Sequence, residues 1–216
     1  MKKVTRRAFI KTSVLGGAAG LLSHTGQASL LPSAKPTPAE VEGPFYPVNA
    51  QKDTDFDLTH VQGQQGSALG RVITINGMVM DTNAQPIEDA TVELWQANAA
   101  GRYAHPYDTN PAPIDPNFQG WAIVPSGKQG EFQFQTVFPG VYPVSSDWLR
   151  PPHIHFKISK KGYETLVTQM YFPGHALNEV DALLARKSPE QRQLMVAKEI
   201  GATKGVYRYH IVLLKQ

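Results

Sequence analysis

The 216-residue chain has no cysteine, which excludes disulfides, thiolate metal sites and a cysteine nucleophile in any compartment. A metal, if one is used, must be held through nitrogen or oxygen. Charge is sparse at 18% of residues, and the formal balance of +3 is uneven along the chain. Lys2, Lys3, Arg6, Arg7 and Lys11 crowd the first eleven residues with no acid among them; without the first 28 residues, 16 basic residues face 18 acidic ones. A body near −2 leaves a nucleic-acid role without its main support, so no nucleic-acid partner is expected. No apolar run reaches membrane-spanning length, since Val14 to Leu22 is too short. There is also no H-E-x-x-H, no internal repeat and no low-complexity run.

The N-terminus is ordered like an export signal. Thr5-Arg6-Arg7-Ala8-Phe9-Ile10-Lys11 sets paired arginines ahead of the apolar stretch, and Gly26-Gln27-Ala28 offers small residues for cleavage. The arginine pair fits the twin-arginine type, so the expectation is export of a folded chain to the periplasm, with no membrane span after processing. Three parts follow: a signal over 1–28, an extended arm over 29–68 and a body over 69–216. The arm is rich in Pro, Gly, Gln and Asp, with Glu42-Gly43-Pro44-Phe45-Tyr46-Pro47 as its one distinctive run.

In the body, segments with β-branched or aromatic residues recur: Val72 to Met80, Thr91 to Gln96, Glu131 to Val137, His153 to Ile158, Leu166 to Phe172 and Tyr207 to Leu214. Their spacing predicts a mainly β fold with an antiparallel β-sandwich core. The connection from Ala97 to about Gly130 is too long for a hairpin and reads as a functional loop. Asn178 to Arg186 and Pro189 to Ile200 have apolar spacing nearer a helix, with Ser188 as N-cap, and predict short C-terminal helices.

The strongest chemical signal is Arg150-Pro151-Pro152-His153-Ile154-His155-Phe156. Strand alternation points His153 and His155 to one face and Ile154, Phe156 and Ile158 to the other, so two imidazoles can reach one ion. Further ligands must come from His, Asp, Glu or Tyr. Tyr103, at the start of the long loop, and Tyr142, in the rigid turn Pro139-Gly140-Val141-Tyr142-Pro143, are available. A phenolate is a hard anionic donor that favours ferric over ferrous iron. His105, His175 and His210 lack such spacing, and His105 reads as a solvent-exposed loop histidine.

The combination resembles the intradiol ring-cleavage dioxygenases, closest to the protocatechuate 3,4-dioxygenase β-chain type. It is carried by Val92 to Asn98, Gly101-Arg102-Tyr103, Asp115-Pro116-Asn117-Phe118, the Tyr142 turn, the Arg150 to Phe156 run and Thr168-Gln169-Met170-Tyr171-Phe172, in that order. The resemblance implies a catalytic domain over 69–216 that binds one Fe(3+) per chain through Tyr103, Tyr142, His153 and His155. Tyr142 and His155 would be axial, Tyr103 and His153 equatorial. Arg150 and Gln169 would act in the substrate pocket, Arg150 by stabilising negative charge on the ring. The implied partners are a catechol-type molecule and O2, cleaved to a cis,cis-muconate-type diacid, in a chain that can form a homo-oligomer. Val144 stands where the protocatechuate-type β chain has tryptophan, so one pocket wall differs. Arg102 and Lys157 are the candidates for pairing with a substrate carboxylate.

Three other readings compete. A secreted β-sandwich binding module explains Asn76 to Asp81 and Ala90 to Leu94 but not the grouped tyrosines and histidines. A zinc hydrolase built on His153 and His155 needs a third, carboxylate ligand. An inactive partner subunit of a two-chain dioxygenase has no use for a full ligand set.

Overall fold

The computed structural model describes residues 33–49, 51, 53–201 and 204–216; the export signal expected over 1–28 lies outside them. The strands, in chain order, are β1 Val72–Asp81, β2 Thr91–Trp95, β3 Trp121–Pro125, β4 Glu131–Val137, β5 Tyr142–Pro143, β6 Leu149–Arg150, β7 His153–Ser159, β8 Leu166–Tyr171, β9 Lys198–Glu199, β10 Val206–Arg208 and β11 Ile211–Leu213. One four-stranded sheet runs β3-β2-β7-β8 with every neighbour antiparallel. The other is centred on β1, which pairs antiparallel with β4 and parallel with both β10 and β11. The antiparallel expectation therefore holds throughout the first sheet and for β1 with β4, while the second sheet is mixed.

Period-two alternation builds the core. Ile73, Ile75 and Val79 of β1 face Leu94 of β2 and Ile154, Phe156 and Ile158 of β7 in one buried cluster. Phe156 packs against Phe132 and Phe134 of β4 at centroid distances of 6.0 and 6.2 Å, joining the two sheets. Each such side chain contributes roughly 1.5–3 kcal/mol on burial. The apolar face of β7 is thereby anchored, and the face bearing His153 and His155 is left to the site.

Three segments differ from the sequence reading. Inside the expected 97–130 loop lies β3, completing the sheet beside β2 in the register Trp95↔Trp121. The last strand is broken at Tyr209-His210 into β10 and β11; there the Tyr209 N–H donates to Asn76 O. The helix α1 covers Pro189–Met195 only, started by a capping box between Ser188 and Gln191. It ends early because Val196 turns extended and Ala197 N–H donates to Tyr171 O, so that sheet pairing replaces the next helical turn. Ala176–Glu179 and Leu184–Arg186 are single 3-10 turns.

The arm lies on its own body. Thr37 N–H donates to Val212 O, Glu40 N–H to Val167 O and Leu58 N–H to Gln135 O, while Thr168 Oγ1 donates to Pro38 O. These bonds carry Gly43 to Tyr46 across the histidine end of β7. Among the described residues no helix is long and apolar enough to cross a membrane.

Candidate metal centre

Sheet register assembles the site. On β7, His155 stands opposite Trp95 on one side and Gln169 on the other, and His153 stands opposite Tyr171. Trp95 lies flat against His155, with centroids 4.8 Å apart and planes 14° from parallel, which fixes the ring. The β5–β6 ribbon pairs Tyr142 with Arg150. Tyr103 comes from the long loop, which is tied to the Tyr142 turn at two close approaches. Gly101 has φ +83°, and a Cβ there would run into the Val141 carbonyl; Gly140 N–H donates to Asn98 O. Asn98 Oδ1 also accepts from Ala100 N–H and Arg102 N–H, and Asp108 Oδ2 accepts from Tyr103 N–H at 2.7 Å. Each tyrosine is thus held by its loop's backbone and by the other loop.

All four candidate ligands are buried and their rings touch. Centroids are 4.9 Å apart for His153 and His155, 5.6 Å for Tyr103 and Tyr142, 5.7 Å for Tyr142 and His153, and 6.2 Å for Tyr103 and His155. His153 Nδ1 donates to Pro151 O at 2.7 Å, leaving Nε2 with its lone pair directed inward. His153 Nε2 and His155 Nε2 lie 3.2 Å apart. Two imidazole nitrogens sharing one ion at about 2.0–2.1 Å are separated by roughly 3.0–3.4 Å, so the spacing fits a common metal. Burial and the positive charge of Arg150 bring His155 down to about 3 and His153 well below the ordinary imidazole value, so both rings are neutral donors.

The phenols complete the donor set. Tyr103 Oη is buried and, apart from the Tyr142 hydroxyl beside it, has no hydrogen-bond partner, a costly state for a hydroxyl unless something binds it. Burial, and then the Tyr142 hydroxyl beside it, push Tyr103 well above the usual tyrosine value. Tyr142 is also raised by burial, against the pull of Arg150. Among the described residues no three His, Cys, Asp or Glu side chains gather as a metal site. No carboxylate therefore joins His153 and His155, and the zinc-hydrolase reading lacks its third ligand.

Arg150 is held rigidly. Its Nε donates to Asp181 Oδ1 at 2.8 Å, and its Nη2 donates to Gln169 Oε1 at 2.6 Å and to Tyr171 Oη at 3.1 Å. Gln169 Nε2 donates to Val41 O. Gln169 is fully buried behind Arg150 rather than lining the open cavity. That cavity, about 540 Å³, is walled by Tyr142, Arg150 and His155 at its base and by Phe45, Val144 and Trp148 further out.

Asp181, Trp95 and Asp108 carry parts of this arrangement that sequence reasoning did not assign. Trp95 lay within a recognised motif, but only pairing shows what it touches. His105 is buried, not in solvent: its ring packs 5.7 Å from Phe45 and its Nδ1 accepts from Tyr107 N–H. Arg102 Nη1 donates to Ala112 O and Lys157 Nζ to Glu42, and neither lines the cavity.

Two tyrosines, two histidines and a buried arginine thus gather at one end of a sheet in a β-sandwich, a nitrogen and oxygen donor set fit for a hard metal ion. The sequence matches the family described as Dioxygenase over residues 41–214, and the chain belongs to the intradiol ring-cleavage dioxygenases, oxidoreductases that open catechol-type rings. Among its relatives, the protocatechuate 3,4-dioxygenase beta chain of Burkholderia cepacia is 37% identical over 180 residues, covering 79% of this chain and 76% of that one. The 6-chlorohydroxyquinol 1,2-dioxygenase of Cupriavidus pinatubonensis is 29% identical over 94% of this chain and 72% of its own. The dioxygenase domain of a carbohydrate-binding fusion protein from Streptomyces sp. SirexAA-E superposes with a TM-score of 0.64 at 27% identity, covering 84% of this chain and all of that one. The family generally uses non-haem iron.

Proposed function

We propose that this protein is an exported intradiol dioxygenase holding one iron(III) per chain through Tyr103, Tyr142, His153 and His155. The observation that carries the reading is the convergence of two neutral imidazoles, whose Nε2 atoms lie 3.2 Å apart, with the buried, adjoining hydroxyls of Tyr103 and Tyr142. The phenolates of Tyr103 and Tyr142 would offset two of the three positive charges of a ferric ion, which a low-dielectric interior favours.

When bound, iron(III) would supply the Lewis acidity that draws electron density from a chelated catecholate and makes the ring reactive toward O2. The chain's own residues do the rest. Tyr142 borders the open cavity, and its Oη would accept a proton from the entering catechol. Tyr103, enclosed, would remain in place. Arg150 presents fixed positive charge beside the ring, where negative charge develops, and Gln169 and Asp181 keep its guanidinium from moving. Trp95, stacked on His155, and Phe45, 4.9 Å from the Tyr103 ring, screen the ligands from water. Cleavage would fall between the two hydroxyl-bearing carbons and yield a cis,cis-muconate-type diacid. Export by the twin-arginine route to the periplasm suits a chain loaded with its cofactor before transport, and a homo-oligomer is the proposed assembly.

The test is the visible absorption spectrum of the iron-loaded protein, before and after catechol is added without oxygen. A tyrosinate-to-iron(III) band that moves to longer wavelength on addition is the expected result. A colourless iron-bound protein, or preferential zinc uptake, would overturn the phenolate ligation.

A further inference from the structure

The cavity over the candidate ligands has a volume of about 540 Å³, within the range that accepts a molecule of drug size rather than one small ring. Its wall is mostly apolar, with Pro111, Pro143, Val144, Trp148 and Leu183 interrupted by the uncharged polar side chains of Thr109, Asn110 and Ser145. Among its lining residues Arg150 is the one fixed cation, and that charge is already matched by the fully buried Asp181 at 2.8 Å, with Gln169 and Tyr171 accepting from the same guanidinium. The other charged side chain of the wall, Asp108, is a carboxylate whose oxygens accept from Tyr103 N–H and Asn110 N–H. The two cations that sequence offers for pairing with a substrate carboxylate are engaged elsewhere: Arg102 with Ala112 O, Lys157 with Glu42.

A carboxylate carried into such a cavity sheds water and meets a largely apolar wall, an acid, and a guanidinium whose hydrogen bonds are already taken by Asp181, Gln169 and Tyr171. An alkyl or aryl group entering the same space loses nothing and buries area. We infer that the substrates of this site are uncharged catechols bearing an apolar ring substituent, and that the site discriminates against carboxylated catechols. The inference rests on the dioxygenase reading and adds the substituent's chemistry, with Val144 as a specificity-determining wall residue.

Anaerobic titration of the iron-loaded protein, followed by the visible spectrum and by calorimetry, tests this without turnover. Catechol, 4-ethylcatechol and 3,4-dihydroxybenzoate are compared. Two buried methylene-sized groups correspond to up to about fifteenfold tighter binding of 4-ethylcatechol than of catechol. The benzoate is expected to bind at least about tenfold more weakly than catechol itself. Val144→Lys, placing a cation on the open wall, should shift the ratio of the two constants toward the benzoate. Benzoate binding as tight as catechol in the unaltered protein, or a ratio unmoved by Val144→Lys in a folded, iron-loaded variant, would overturn the inference while leaving the dioxygenase reading intact. No spectral response to catechol itself would remove both.

Discussion

Removing the Asp181 carboxylate should expose how the site is held. Asp181 is fully buried; its Oδ1 accepts from Arg150 Nε at 2.8 Å and Trp148 Nε1 at 3.3 Å, and its Oδ2 accepts from Leu184 N–H at 3.0 Å and Tyr171 Oη at 3.4 Å. Asp181→Ala leaves the buried Arg150 charge without its counter-ion, which costs about 3–5 kcal/mol. In a chain whose total stability is of order 5–15 kcal/mol, that is a large share. Near 4 kcal/mol, the melting temperature should fall by roughly 8–16 °C, and the urea midpoint by about 1–2 M. The double replacement Arg150→Met with Asp181→Leu removes both charges and should recover much of that loss, because a buried pair exchanged for apolar groups is often neutral. Urea denaturation of the unaltered protein, Arg150→Met, Asp181→Leu and the double variant gives the coupling directly. A coupling below about 1 kcal/mol would refute the argument that Arg150 is pinned by Asp181.

The same geometry gives three further expectations. Tyr103→Phe deletes a buried hydroxyl whose neighbour is the Tyr142 hydroxyl, so the metal-free variant should match wild-type stability to within about 1 kcal/mol yet take up less iron; paired melts with and without metal check this, and unchanged iron uptake would remove Tyr103 from the ligand set. Gly101→Ala forces a side chain onto φ +83° and into the Val141 carbonyl; a loss of about 1–3 kcal/mol or more is expected, with reduced iron content after identical loading, and wild-type values in both would contradict the loop coupling. Burial alone would raise the Asp81 carboxyl, but Lys215 at 2.7 Å and the N–H groups of Gln85 and Asn83 outweigh it and hold it below the ordinary carboxylate value. The stability it contributes is therefore present above the ordinary carboxylate pKa of about 3.9 and is lost as pH falls through its lower folded value. Asp81→Asn should lower the urea midpoint at pH 7, and the gap to wild type should close toward pH 3. A gap of constant size across that range would exclude an ionic origin.

The sequence by itself determined what depends on near neighbours. Alternation along His153 to Ile158 separates two histidines from three core residues because strand side chains alternate at period two, and the folded β7 does the same. The absence of cysteine, the rigid Tyr142 turn and the ordered motifs limit the donors before any fold is known. Ser188 and Gln191 mark the start of α1 because a capping box lies within four residues. Tertiary structure alone decided the rest. β3 hides in a loop rich in Pro and Asn, since its strand character comes from pairing with β2 rather than from its own pattern. The end of α1 is set by Tyr171 O, 26 positions before the Ala197 N–H that bonds it. His105, in a polar loop, packs against Phe45 of the distant arm and Tyr107 of its own loop, and the first of these contacts leaves no local trace in the sequence. Asp181, 31 residues beyond Arg150, belongs to no periodic pattern, because a buried charge selects its partner by position in space, and local sequence carries no record of that distance.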